Sequence, residues 1–264
     1  MTIDALQTWS EAGLTIELYP DKPALSAAAA GLVAGCIRQA IQERGQANVI
    51  FATGASQYDF LTAIRSISGI AWDRVTAFHL DEYLGLSEDH PASFRRYLRE
   101  RLFSHLPFAE VHVLDGNAAD AGQECARYSA LLAERVIDVA CIGVGENGHL
   151  AFNDPPADFE TEALVHVVDL DEACRRQQVG EGHFAAVADV PPQALSLSIP
   201  AIMRAKTVSC VVPGQRKAAA IRCTLDGPVT PDCPGSVMRR HDNCYLYLDT
   251  ASASLLARMA GGED

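Results

Sequence analysis

The stretch from Ile137 to Pro156, IDVACIGVGENGHLAFNDPP, changes character in its middle. Ile137 to Ile142 is a nearly unbroken apolar run of strand length, as expected for a central strand of a parallel sheet covered on both faces. The chain then switches to glycine, polar side chains and one histidine. In open α/β sheets, ligands bind beyond the carboxyl ends of the strands, so an imidazole and carboxylates placed just after such a strand lie where chemistry is done.

The rest of the chain supplies the layers around that strand. Apolar strand-like runs at Leu14–Tyr19, Asn48–Ala52, Arg74–Leu80, Glu110–Leu114, Val165–Leu170, Ala194–Ile199, Thr207–Val212 and Cys244–Leu248 alternate with helical segments, among them Asp21–Arg44, Ala118–Arg135 and Gly214–Thr224. A terminal helix is expected from Ala251. This alternation predicts an α/β fold with one doubly wound, largely parallel sheet flanked by helices and joined by right-handed crossovers. No long Pro/Gly/Ser-rich or charged linker divides the 264 residues, so residues 1–264 read as a single domain.

Composition narrows the function classes. A formal net charge of −13 disfavours nucleic acid and anionic membranes, which both reward a basic face. An anionic substrate would therefore need a local basic cluster. No apolar run reads as a membrane span, and the opening MTIDALQTWSEAG lacks both a basic start and an apolar core, so a cytoplasmic location is expected. The eight cysteines stand singly, without a CxxC or a histidine at metal-ligand spacing; reduced thiols, no disulfide and no metal site are expected.

Three strand ends carry the candidate chemistry. After Asn48–Ala52 the chain reads Thr53-Gly54-Ala55-Ser56 and enters a helix, so backbone N–H groups, the helix dipole and two hydroxyls form a ready anion site. The competing reading is an ordinary helix cap at Ser56. The strand Arg74–Leu80 delivers Asp81 and Glu82, which otherwise read as solvated residues closing a strand. Beyond Ile142, His149 is flanked by Asn147 and Asp154, which can orient one ring nitrogen and leave the other to move protons near neutral pH. Gly143 to Gly148 also matches GxGxxG, with Asp169 and Asp171 downstream. No crossover helix can open at Gly148 before Pro155-Pro156, so a dinucleotide is not expected, nor any other cofactor. Arg95, Arg96, Arg99 and Arg101 fall on several sides of the helix Ala92–Phe103 and read as a solvated face.

HLDEYLGL, HPASFRRYL and IDVACIGVGENGHLAFNDP, in that order, closely resemble the glucosamine-6-phosphate deaminase (isomerase) family, whose patterns are of the kind MDEYVGL, HPESY and GVGNDGHIAFNEP. ATGAS is similar to the family's phosphate loop TGGTP, and GQRKAAAI to its GSQKALAL; the likeness runs from about residue 14 to residue 255. The resemblance implies a sugar-phosphate substrate and aldose–ketose isomerisation with loss of ammonia. It implies Asp81 as the base that moves a proton between C2 and C1, and His149 as the group that opens the pyranose ring. It implies phosphate binding by Thr53, Gly54, Ala55 and Ser56, with Lys217 and either Arg175 or Arg176 as cations, and places Glu82 among the substrate-binding residues. Homo-oligomer formation stays open.

Two departures from the pattern matter for the chemistry around His149. Asn147 stands where the family carries Asp, and Asp154 where it carries Glu. An amide orients an imidazole without stabilising imidazolium by charge, so slower ring opening, or reliance on Asp154 and Glu146, is expected. A 6-phosphogluconolactonase-like lactone hydrolase on the same fold and a catalytically silent sugar-phosphate sensor are the alternatives. The lactonase pattern is typically DER where this chain has DEY, and no helix-turn-helix is legible before residue 14.

Overall fold

The computed structural model describes residues 4–180, 182 and 184–260. In chain order the elements are β1 (Gln7–Glu11), β2 (Leu14–Tyr19), α1 (Lys22–Arg44), β3 (Ala47–Phe51), α2 (Tyr58–Ser66), β4 (Val75–His79), β5 (Asp81–Tyr83) and α3 (Phe94–Arg101). There follow β6 (Glu110–His112), α4 (Ala121–Ala133), β7 (Val139–Ile142), β8 (Val165–Asp169), α5 (Glu172–Gly180), β9 (Gln193–Leu197), α6 (Ile199–Met203), β10 (Thr207–Val212), α7 (Ala218–Asp226), β11 (Cys244–Asp249) and α8 (Ala257–Ala260).

Eight strands form one sheet in the order β1-β2-β11-β10-β7-β3-β4-β6. Each neighbouring pair is parallel except β1 with β2. The α/β, doubly wound class expected from the alternation is the class observed. Successive side chains of a strand point to opposite faces, and both faces are covered. Ala140 and Ile142 of β7 pack into one apolar cluster, while Val139 and Cys141 pack into the other beneath α1. Burial on both sides explains why β3, β7 and β10 read as continuous apolar runs rather than alternating ones. α1 starts on the Asp21 carboxylate, which accepts from Ala24 N at 2.9 Å, with Pro23 in the first turn. By length and composition alone α1 is apolar enough to cross a membrane. Here Leu25, Ala29, Val33 and Ile37 are fully buried against the sheet.

Two of the expected strands, seen as β8 and β9, lie outside this sheet, and the triplet Asp81–Tyr83, expected to close β4, joins them as a third strand. β5, β9 and β8 form a separate antiparallel sheet, with Asp81 opposite Ser196 and Val165 opposite Leu197. The chain leaves the main sheet at Leu80, whose carbonyl accepts Leu197 N at 3.0 Å, so the acidic triplet begins a new layer instead of closing β4. One side of this sheet rests on the rings of Tyr83, Phe94, Phe152 and Phe184, whose neighbouring centroids lie 5.0–5.8 Å apart. The terminal helix begins at Ala257 rather than Ala251, because Asp249 accepts from Ser252 N (2.7 Å) and holds the segment after β11 as turns.

The chain moves outward from β3 through β4 to β6, returns to the other side of β3 as β7, and continues through β10 to β11. This reversal between β3 and β7 is the topological switch point, and in open α/β sheets the crevice beyond such a point receives ligands.

Candidate active site

Beyond the carboxyl ends of β3, β7 and β10 lies a cavity of about 490 Å³. Thr53, Gly54, Ala55, Ser56, Asp81, His149 and Lys217 all line it, although they come from four separate stretches of sequence.

Two turns of similar geometry flank β7. Gly54 (φ 99°, ψ 165°) follows β3 and Gly214 (φ 94°, ψ 150°) follows β10; each leads through a short 3-10 turn into a helix, α2 and α7 respectively. Each turn is closed in the same way, by Gln57 N to Gly54 O and by Lys217 N to Gly214 O, both 3.0 Å. Such φ values are strained for any side chain with a Cβ, which accounts for glycine at both places. The first turn is held from outside by Tyr97, whose hydroxyl donates to Gly54 O at 2.7 Å. Tyr97 stacks on Tyr58 with ring centroids 5.4 Å apart, and Arg101 lies over both rings. Lys22 reaches Ala55 O (2.9 Å) and Asp59 (3.4 Å). The second turn is anchored by Asp249, both of whose carboxylate oxygens accept from Gly214 N, at 3.0 and 2.9 Å.

His149 sits on a loop that folds back on itself, with Gly145 N donating to His149 O at 2.9 Å. Its Nδ1 is 2.9 Å from Asp154 Oδ1, which leaves Nε2 for the cavity. Asn147 braces the arrangement twice: its Nδ2 donates to Asp154 Oδ1 (2.8 Å) and its Oδ1 accepts from His149 N (3.1 Å). Asn147 and Asp154 thus stand behind the histidine and do not line the cavity themselves. Burial pushes the Asp154 carboxyl upward. The hydrogen bond and charge of His149, then Asn147 and Cys174, outweigh it and leave the group below the ordinary carboxylate range.

Asp81 is the cavity's other titratable group of note. It is buried, and its Oδ1 has no hydrogen-bond partner among the described residues. Burial first, and the charge of Glu82 second, raise its carboxyl to about 8. An unpartnered, buried carboxyl at a cavity wall, poised near neutral pH, is suited to accept a proton from a bound molecule.

Several sequence expectations need correction here. Glu82 does not face the cavity. It is fully buried on the other side of β5, and its carboxylate accepts from Tyr83 N, Ser93 Oγ, Phe94 N, Arg95 N and Arg95 Nε at 2.8–3.2 Å. With that many donors its lone pairs are committed to fastening β5 to the start of α3. Arg95, expected on a solvated face, is the other half of this clamp; it also donates to Asp115, Asn117 and Leu86 O. Arg175 and Arg176 do not reach the cavity either. Arg175 donates to Val187 O (2.7 Å), and Arg176, exposed, pairs with Glu172 one helical turn away (2.5 Å). The guanidinium that lines the cavity is that of Arg216, which sequence reasoning passed over although it stands next to Lys217. Its Nε lies 2.8 Å from Glu146.

Comparison with known proteins agrees with this architecture. The family described as glucosamine-6-phosphate isomerases/6-phosphogluconolactonase matches residues 20–246. A glucosamine-6-phosphate deaminase of Exiguobacterium sibiricum is 42% identical over 183 residues, covering 69% of this chain and 71% of that protein. Among solved structures, a monomeric glucosamine-6-phosphate deaminase superposes with a TM-score of 0.84 at 30% identity, covering 91% of this chain and 99% of its own. A 6-phosphogluconolactonase from Thermotoga maritima shares the fold, with a TM-score of 0.73 at 19% identity over 89% of this chain and 99% of its own. With a match that spans most of its length, this chain belongs to the glucosamine-6-phosphate isomerase/6-phosphogluconolactonase family.

Proposed function

We propose that this protein converts glucosamine 6-phosphate and water to fructose 6-phosphate and ammonia. The observation that carries the proposal is the pairing, in one cavity, of the unpartnered Asp81 carboxyl with the carboxylate-backed imidazole of His149. The relatives named as deaminases support the same reaction.

His149 Nε2 takes the proton of the C1 hydroxyl and returns one to the ring oxygen, giving the open-chain aldehyde; Asp154 holds the transient imidazolium. Ionised Asp81 removes the proton from C2 while the aldehyde oxygen takes a proton from the C2 ammonium group, leaving an enolamine across C1 and C2. The same carboxyl then delivers that proton to C1, which yields the iminium at C2. Water adds to the C2 iminium and ammonia leaves. The phosphate is held by Thr53 to Ser56, where N–H groups and hydroxyls converge, with Lys217 from the opposite turn supplying charge.

The test is ammonia release from glucosamine 6-phosphate with fructose 6-phosphate followed in the same mixture, for the wild type and Asp81→Asn. Turnover in the wild type and its loss in the variant, with phosphosugar binding retained, is the expected result. Hydrolysis of a 6-phosphogluconolactone without ammonia release, or unchanged turnover in Asp81→Asn, would overturn it.

A further inference from the structure

Arg216 and Glu146 form an ion pair that no step of the proposed reaction uses. They come from different loops: Arg216 from the turn after β10, Glu146 from the loop after β7, and both line the cavity. Their side chains retain 61% and 30% exposure, so the pair stands at the mouth rather than in the core. This chain departs from the family patterns quoted above at both places, with Glu146 for Asn and Arg216 for Gln. The two departures meet each other.

The charges around the cavity give the pair a direction. Of the cations lining it, Lys22 is held on Ala55 O and Asp59, at the outer side of the first turn. Arg216 precedes Lys217 in the second turn, and neither Arg175 nor Arg176 supplies a guanidinium. An arginine suits a phosphate because its planar fork donates two bonds at once. Among the described residues, the bond that now holds Arg216 is a half-exposed pair with one carboxylate, of the kind that solvent largely screens. A dianionic phosphoryl group with several acceptor oxygens outcompetes it.

We infer that Arg216 is a phosphate-binding residue of this site, parked on Glu146 while the site is empty and exchanged from that carboxylate to the phosphoryl group of the substrate. The inference rests on the phosphosugar reading for its substrate, but it makes a claim about anion binding that holds without turnover. Glu146 then acts against binding, since each bound phosphate must displace it. A structural strut would act in the opposite sense, because removing one partner would loosen the turn and weaken the site.

The sign separates the two roles. Inorganic phosphate binding is measured by titration calorimetry on the substrate-free protein for the wild type, Glu146→Gln, Arg216→Met and the double variant, with circular dichroism to confirm folding. Glu146→Gln is expected to tighten binding roughly two- to fivefold, because the competing carboxylate is gone. Arg216→Met is expected to weaken it about tenfold or more, and the double variant to match Arg216→Met. Weaker or unchanged binding in Glu146→Gln, unchanged binding in Arg216→Met, or no phosphate binding by any form overturns the inference. Failure of the deaminase reading would appear separately, as tight phosphate binding by a wild-type protein that releases no ammonia.

Discussion

Gly145→Ala places one methyl group against His149, the residue assigned ring opening in the proposed mechanism. A Cβ at Gly145 would stand 2.3 Å from Cε1 and Nε2 and 2.4 Å from Cδ2 of His149, because the imidazole lies flat over the glycine. Non-bonded carbons settle at about 3.5–4.0 Å, so the ring must retreat by roughly 1 Å or more. The Nδ1 to Asp154 Oδ1 contact, 2.9 Å now, then stretches past hydrogen-bond range. A displacement of that size at a reacting group costs on the order of 10²-fold in rate. Stability should move little. The obstructing atoms belong to a side chain beside an open cavity, and the Gly145 backbone is not left-handed. The expected result is a loss of about 10²-fold in kcat/KM for ammonia release, with a Tm within about 4 °C of the wild type. A kcat/KM within about threefold of the wild type would refute the idea that this packing sets the histidine. So would a rate loss that merely follows a loss of folded protein.

Further outcomes follow from the surrounding contacts. The proposed mechanism uses the ionised form of Asp81 as base, so kcat/KM should fall as pH drops below about 8; a profile flat from pH 6 to 9 would contradict this. The same shift carries a stability sign. A folded pKa raised above the unfolded value gives a contribution that is full below the unfolded pKa and lost as pH rises through about 8, so the Tm gain of Asp81→Asn over wild type should grow from pH 5 to pH 9. Arg95→Met leaves Glu82 buried without its counter-charge and should cost ~3–5 kcal/mol in a urea titration; a cost under ~1 kcal/mol would return Arg95 to the solvated face. Tyr97→Phe removes the donor to Gly54 O and should raise KM for the phosphosugar about two- to tenfold with kcat unchanged; a fall in kcat at constant KM would mean that the tyrosine acts elsewhere.

The main sheet was legible because its central strands are buried on both faces. β7 and β10 contain no exposed position, so their apolar runs stand out from the flanking helices. The small sheet was not, since β5 is only the triplet Asp81–Tyr83 and looks like the solvated end of β4. Only the pairing with Ser196 and Leu195, more than a hundred residues later, makes it a strand. Arg95 and Arg216 were misread or missed for a related reason. Helical spacing assigns a face from neighbours within a turn, yet Arg95 is drawn inward by Glu82, before its own helix begins, and by Asp115 and Asn117, beyond its end. Arg216 meets Glu146 across a gap of seventy positions. The convergence of Thr53–Ser56, Asp81 and His149 on one cavity needed less, because strands in a parallel sheet present their carboxyl ends on one side.

The amide at position 147, where the family pattern has an acid, is less of a loss than its formal charge suggests. Asp154 Oδ1 accepts from both Asn147 Nδ2 (2.8 Å) and His149 Nδ1 (2.9 Å), so a single carboxylate oxygen joins the brace and the imidazole. An aspartate in the pose of Asn147 would set two carboxylates against each other at hydrogen-bond distance. Like charges that close cannot both ionise, and one proton would be shared between them. The cluster behind His149 would then carry about one negative charge, which is what Asp154 supplies alone here. The amide also donates to that charge at any pH, whereas a shared proton would leave the pair as pH rose. It adds to the hydrogen bonds that hold the Asp154 carboxyl below the ordinary range. Asn147 therefore gives up a second ionisable group and keeps the function that matters to His149, a fixed and ionised partner on Nδ1.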